Sequence, residues 1–156
     1  MKILLIVESK HQGNTLKLAK AMEGSAPVTI TNIENVKNYD LHDFEIVGFG
    51  SGIYYGKHDK KIMKFVSSIC DEPAYTFVFS TSGGKNFDKN NRALVDLLKS
   101  KNKTVLGTFS CLGLDKYFIM GLFGGTNKGH PGADDLIKAQ DFITDIIKKY
   151  EMQVTK

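Results

Sequence analysis

The feature that most constrains this chain is a repeated alternation. Five short runs of apolar or β-branched residues each give way to small or polar residues, and most of these lead into a stretch with helical spacing. Lys2–Glu8 (KILLIVE), Pro27–Ile33 (PVTITNI), Glu45–Gly50 (EIVGFG), Tyr75–Thr81 (YTFVFST) and Lys103–Phe109 (KTVLGTF) are predicted strands. Leu16, Ala19, Lys20 and Met22 mark a helix after Gly13-Asn14-Thr15, and Ile62, Phe65, Val66 and Ile69 recur at i, i+3, i+4 and i+7. Ala93, Leu94, Leu97 and Leu98 mark a further helix, and Leu136, Ala139, Ile143, Ile146, Ile147 and Tyr150 a long final one. Strands lose their polar alternation when both faces are buried, and strands interleaved with helices build a parallel sheet. An α/β architecture of five parallel strands covered on both faces is expected. Residues 34–44 leave room only for a short or irregular second crossover. Residues 110–130 form a connection long enough to suggest a functional loop.

With 156 residues and no internal repeat or low-complexity tract, a single domain spanning 1–156 is expected. Hydrophobic residues at 42% and charged residues at 24% suit a soluble globule with its own core. The basic side is unusual: twenty Lys and one Arg (Arg92) face seventeen acids, for a net charge of +4. A dedicated nucleic-acid reader leans on the bidentate guanidinium, so no nucleic-acid partner is expected. No apolar run approaches a membrane span, and Ile3–Val7 stops at Glu8, too short for a signal-peptide core. Cys70 and Cys111 stand far apart with no paired spacing, which points to reduced thiols, no metal site and a cytoplasmic setting.

Ligands of open α/β sheets sit beyond the carboxyl ends of the strands. The loop after the first strand, Ser9-Lys10-His11-Gln12-Gly13-Asn14-Thr15, puts hydroxyls, amides and a Gly on a helix N-terminus. Such a terminus offers N–H groups and a favourable dipole to an anion. The same residues also read as a plain turn capped by Asn14 or Thr15. No G-x-G-x-x-G follows the strand and no Walker loop occurs anywhere, so dinucleotide and nucleoside-triphosphate sites are not indicated. A phospho-accepting receiver would need an acid at the end of the third strand, where Gly50-Ser51-Gly52 stands instead. After that strand, Ser51-Gly52-Ile53-Tyr54-Tyr55-Gly56 is expected as a loop whose tyrosines either face a planar ring or cover the sheet edge. After the fourth strand, Ser80-Thr81-Ser82-Gly83-Gly84, with Phe87 shortly beyond, lets backbone approach a ligand closely or forms an ordinary loop.

With these loops in order, the chain resembles the flavodoxin family over essentially its whole length. Ser9–Thr15 is similar to the family's phosphate loop, Gly50–Gly56 to the loop that sets an aromatic against the flavin, and Ser80–Gly84 to the third flavin loop. The stretch Gly125–Asp135 leading into the last helix is also similar to stand-alone members. The resemblance implies a flavodoxin-like three-layer sandwich, with a five-stranded parallel sheet in order 2-1-3-4-5, and one non-covalent FMN. It further implies that Ser9, His11, Gly13, Asn14 and Thr15 hold the phosphate, that Tyr54 or Tyr55 stacks on the isoalloxazine, and that Thr81, Ser82 and Gly83 bond its polar edge. No insertion interrupts the fifth strand, as in the short-chain type.

Two departures from the family stand out. Position 11 is His where a hydroxyl residue is usual, and the chain is not acidic. Taking Lys10 with residues 51–61, 80–92 and 111–130 as the rim of the flavin site, nine cations (Lys10, Lys57, Lys60, Lys61, Lys85, Lys89, Arg92, Lys116 and Lys128) meet three acids (Asp59, Asp88 and Asp115). Such a rim is expected to attract acidic redox partner proteins or an anionic substrate. Residues 117–123 (YFIMGLF) read as a lid on the sheet edge or as an exposed contact for a partner, a subunit or a membrane surface. Cys111, at the start of that loop, reads as a buried structural thiol before a reactive one.

The leading expectation is an FMN-binding electron carrier with no catalytic side chain, since the flavin carries the chemistry. An FMN-dependent reductase or dehydrogenase acting on a quinone or porphyrinogen-like substrate is a second reading. A flavin-free interaction module on the same fold is a third.

Overall fold

A computed structural model describes residues 1–10, 13–113 and 129–156. The strands are β1 (Ile3–Glu8), β2 (Val28–Thr31), β3 (Ile46–Tyr54), β4 (Lys57–His58), β5 (Tyr75–Ser82) and β6 (Thr104–Leu112). The helices are α1 (Asn14–Glu23), α2 (Lys60–Ser68), α3 (Phe87–Ser100) and α4 (Ala133–Val154). Five strands pair in parallel in the order β2-β1-β3-β5-β6, which is the expected 2-1-3-4-5 arrangement. The short crossover anticipated at 34–44 is two single 3-10 turns, Val36–Asn38 and Leu41–Asp43.

Successive strand residues point to opposite faces, and here both faces are apolar. Ile3, Leu5, Ile46, Phe77 and Phe79 pack with Leu18 and Met22 of α1 and Ala139, Ile143 and Ile146 of α4. Leu4, Ile6, Val47, Phe49 and Val78 pack with Ile62 and Val66 of α2 and Leu94 and Leu98 of α3. The result is three layers, helix pair on sheet on helix pair. Full burial of such side chains stabilises the fold by roughly 1.5–3 kcal/mol each. Phe79 leans across Gly50, its register partner: a Cβ at position 50 would lie 2.3 Å from the ring.

The apolar registers end on a polar row. Glu8 pairs with Ser51, Ser51 with Ser80, and Ser80 with Ser110, so four strands present polar residues in line at the carboxyl edge. A bulge makes this alignment. Thr76 pairs with Val105 but Val78 with Thr108, so β6 carries one extra residue there. A one-residue slip reverses every side chain beyond it. Without the bulge Ser110 would sit on the opposite face from Ser80.

Three expectations need correction. The segment Ser51–Tyr54, expected as loop, continues β3: Ser51 and Gly52 still pair with β5, and β4 returns antiparallel through the pairs Ile53–His58 and Tyr54–Lys57. Tyr55 (φ 53°) and Gly56 (φ 76°) form the two-residue turn between them, the left-handed pair that a tight hairpin requires. β5 and β6 likewise run on through Ser82 and Leu112, so Cys111 belongs to a strand and not to the following loop. Asn14 and Thr15 do not cap α1: the cap position is Gly13 (φ 67°), and Asn14 begins the helix.

No helix among the described residues is long and apolar enough to cross a membrane. Among the same residues no group of three His, Cys, Asp or Glu is placed to hold a metal ion.

Candidate functional site at the carboxyl edge of the sheet

The first loop gains its shape from Gly13, whose left-handed backbone turns the chain into α1. The side-chain cap that Gly13 lacks is supplied by Ser9, whose Oγ accepts from the Leu16 N–H at 3.2 Å. The Ser9 hydroxyl therefore keeps its own proton to donate. At the first turn of α1, Thr15 is buried and its Oγ1 lies 2.9 Å from Oγ1 of Thr81, also buried, at the end of β5. This contact bolts the start of α1 to the end of β5. Gly113 closes over both: a Cβ there would lie 2.8 Å from Asn14 Nδ2 and 3.2 Å from Thr81 Cβ. In the third loop, Ser82 Oγ donates to the Gly84 carbonyl at 2.5 Å and accepts from Asn90 Nδ2 at 3.1 Å. Gly83 and Gly84 are exposed, and Phe87 is half-buried at the start of α3.

The tyrosines separate. Tyr55 projects fully into solvent, 100% exposed. Tyr54 folds back over Gly52, where a Cβ would stand 2.9 Å from its hydroxyl. The Lys10 ammonium sits 5.6 Å from the Tyr54 ring centroid and 2.7 Å from Oδ2 of buried Asp59. Lys10 is thus committed to the hairpin and the start of α2, and the hydrogen bond to Asp59 raises its pKa. Burial works to raise the Asp59 pKa, yet the Lys10 ammonium and the Lys61 N–H hold it below the usual carboxylate range. Desolvation raises the Tyr54 phenol.

Behind the hairpin lies a buried polar network. Ser51 Oγ accepts from the Asp59 N–H at 2.9 Å and lies 2.8 Å from His58 Nδ1. His58 Nε2 lies 2.9 Å from Asn91 Oδ1, which also accepts from Ser80 Oγ at 2.9 Å. Asn91 Nδ2 donates to Ser110 Oγ at 2.8 Å, and the two serine hydroxyls are 2.6 Å apart. One arrangement of hydrogens satisfies every member: Ser110 donates to Ser80, Ser80 to Asn91 Oδ1, Asn91 to Ser110. With Asn91 Oδ1 an acceptor, His58 Nε2 carries the ring proton, and Nδ1 faces Ser51 Oγ, which donates to the Gly52 carbonyl at 2.8 Å. Burial pushes the His58 pKa down to about 4, with smaller upward pulls from the Asn91 hydrogen bond and the Asp59 charge.

The geometry therefore gathers Ser9, Lys10, Gly13, Asn14, Thr15, Ser51, Gly52, Tyr54, Thr81, Ser82 and Gly113 at one edge. Ile53 serves as hairpin backbone, and Tyr55 and Gly56 as its tip. His11, Gln12, Lys116, Lys128 and the apolar run 117–123 lie outside the described residues. Cys111 is buried and its thiol is pushed up to about 12, first by burial and then by the Asp135 charge. It is the structural thiol expected, not a thiolate. Sequence reasoning missed His58, Asn91 and Ser110 as site members. Asp59 before the apolar spacing of α2 is a readable N-cap, and its side chain does accept from Lys61 N at 2.8 Å.

Comparison with known proteins agrees with this geometry. A family model described as a flavodoxin domain matches residues 4–125. An uncharacterized protein of Methanocaldococcus jannaschii is 43% identical over 150 residues, spanning 95% of this chain and 99% of that protein. A flavodoxin from the domain Archaea has a TM-score of 0.70 at 18% identity, covering 97% of this chain and 99% of the other. Flavodoxin 1 of Bacillus cereus has a TM-score of 0.67 at 15% identity, covering 95% and 98%. At these identities the two structures speak to the fold alone.

Proposed function

This chain belongs to the flavodoxin family, and from that premise we propose that it binds FMN at the carboxyl edge and carries electrons between redox enzymes. The observation that carries the reading is the buried Thr15–Thr81 contact of 2.9 Å. It joins an anion-ready helix start to the loop suited to a ring's polar edge, so the two act as one cradle. The donor set fits the cofactor. The opening turn of α1 with the Ser9 hydroxyl takes a phosphate through neutral donors, aided by the helix dipole. The Tyr54 face, pinned by Lys10 and backed by Gly52, suits stacking on a planar ring. Thr81, Ser82 and Gly83 line the polar edge. His11 and Gln12 complete the loop in sequence.

Bound FMN supplies one- and two-electron redox chemistry. The chain's own residues bind, orient and shield. Among the described residues, His58 is neutral and turned toward Ser51 and Asn91, away from acid or base work at the cradle.

Purified protein is expected to bind one FMN per chain, seen as quenching of flavin fluorescence. It is expected not to oxidise a nicotinamide nucleotide with a quinone unless a separate reductase is added. Colourless protein that takes up no FMN overturns the reading. Rapid turnover without a reductase replaces the carrier by an enzyme.

A further inference from the structure

The β3–β4 hairpin and the start of α3 lie side by side. Lys57 and Lys60 flank His58 on the hairpin side, and Lys89 and Arg92 flank Asn91 on the helix side. The 2.9 Å contact between His58 and Asn91 ties the two sides together. β4 and α3 also pack directly. Lys57, Lys60, Lys89 and Arg92 thus ride on packed elements, and Lys85 on the short loop that enters α3. Lys57, Lys60, Lys85, Lys89 and Arg92 are all exposed. None of the five takes part in an ion pair among the described residues. Within 51–61 and 80–92 the acids are Asp59 and Asp88, and Asp59 is buried and neutralised by Lys10. In these two stretches the five unpaired cations thus face one exposed acid, Asp88, with Asp96 one helical turn beyond Arg92 on α3.

At the hairpin tip stands Tyr55, fully exposed with φ 53°. A bulky residue in the left-handed region is uncommon and costs on the order of 1 kcal/mol. The fold holds an aromatic ring out in water at a strained position where Asn or Gly would sit at ease. Exposed Tyr and Arg are the residue types that dominate protein–protein interfaces.

We propose that the face formed by Tyr55, Lys57, Lys60, Lys85, Lys89 and Arg92 docks a protein partner with an acidic surface. Positive potential steers the acidic patch, the pre-set frame limits the ordering cost, and Tyr55 supplies the apolar anchor. A nucleic-acid backbone fits less well, since Arg92 is the chain's one Arg. A lipid surface fits less well too, since Tyr55 is the one large hydrophobic residue of this face that stands free in solvent. The docking rests on charge and shape. Only its use for electron exchange rests on the flavin reading.

The test is a heteronuclear NMR titration of the 15N-labelled full chain, with and without added FMN, using poly-L-glutamate as the acidic-polypeptide probe. Poly-L-lysine, phosphatidylglycerol vesicles and a DNA duplex serve as comparison arms. Amide shifts confined to residues 55–60 and 85–92 are expected with poly-L-glutamate. The affinity is expected to drop about tenfold or more between roughly 20 and 200 mM salt. Lys57→Glu with Lys89→Glu is expected to abolish the shifts, and Lys57→Gln with Lys89→Gln to weaken them should the reversal perturb folding. Tyr55→Ala is expected to weaken binding with the salt dependence intact. Shifts elsewhere, equal binding of poly-L-lysine, salt-independent binding, or stronger retention by vesicles or DNA each overturn the proposal. The shifts are read without reduction, so their absence is distinguishable from a failure to bind FMN.

Discussion

His58 Nε2 lies 2.9 Å from Oδ1 of Asn91, thirty-three residues further along the chain, and this contact ties the β3–β4 hairpin to α3. With the pKa pushed down to about 4, the folded protein resists the second proton while the unfolded chain accepts it near the ordinary value of about 6.5. The unfolded state thus binds more protons between these values. Stability is full above about pH 6.5 and is lost as pH falls toward about 4, by on the order of 3 kcal/mol. Urea midpoints measured from pH 7 to pH 4 should fall through this window. His58→Gln should be less stable at pH 7 and show a much flatter profile over the same range. An equally steep profile in the variant would assign the loss to other groups.

Gly50 gives a sharper steric test. The Phe79 ring occupies the space a side chain would need. Gly50→Ala should destabilise the protein by about 1–3 kcal/mol, the usual range for overpacking. Adding Phe79→Leu should return part of that loss, read as a positive coupling in a double-mutant cycle of urea unfolding.

Thr81→Val removes the hydroxyl that meets Thr15 across the candidate cradle. A neutral hydrogen bond contributes about 1 kcal/mol, and an orphaned buried hydroxyl costs about 1–3 kcal/mol. FMN affinity should therefore weaken roughly tenfold. The pair Thr15→Val with Thr81→Val should bind FMN better than the sum of the single losses forecasts. Fluorescence titration checks both.

The basic rim should also show in the potentials. Positive charge favours added negative charge, so the second electron is expected to enter bound FMN at a less negative potential than in acidic members of the family. Potentiometric titration of the wild type and of Lys57→Glu with Arg92→Glu should show the variant's second step moving to more negative values. A second step unmoved by the reversal would show that these cations lie too far from the ring to matter.

The strand cores were legible in the sequence because both faces are buried, so KILLIVE and YTFVFST read as unbroken apolar runs. Their ends were not. Ser51, Ser82 and Ser110 look like loop residues, yet the backbone ladder runs through them and their hydroxyls bond to the hairpin, across the edge or to α3. The β3–β4 hairpin was hidden for a different reason. Its turn is Tyr55-Gly56, and the Tyr does not announce a left-handed residue as Asn would. The three loops of the candidate cradle were visible from their order after the strands. The His58–Asn91–Ser110 connections were not, since contacts 19 and 33 residues apart leave no periodic trace. The bulge that sets Ser110 beside Ser80 has no marker in composition either.

The closed ring of Ser80, Asn91 and Ser110 also bears on how this protein can change over generations. Within the ring each member gives one hydrogen and takes one, and Asn91 Oδ1 takes a second from His58 Nε2. A single replacement leaves at least one neighbour short of a partner, at about 1–3 kcal/mol for a group that is buried. Replacing all three by apolar residues of similar volume strands only the His58 end. Replacement at any one of the three positions therefore meets a barrier that joint replacement largely avoids.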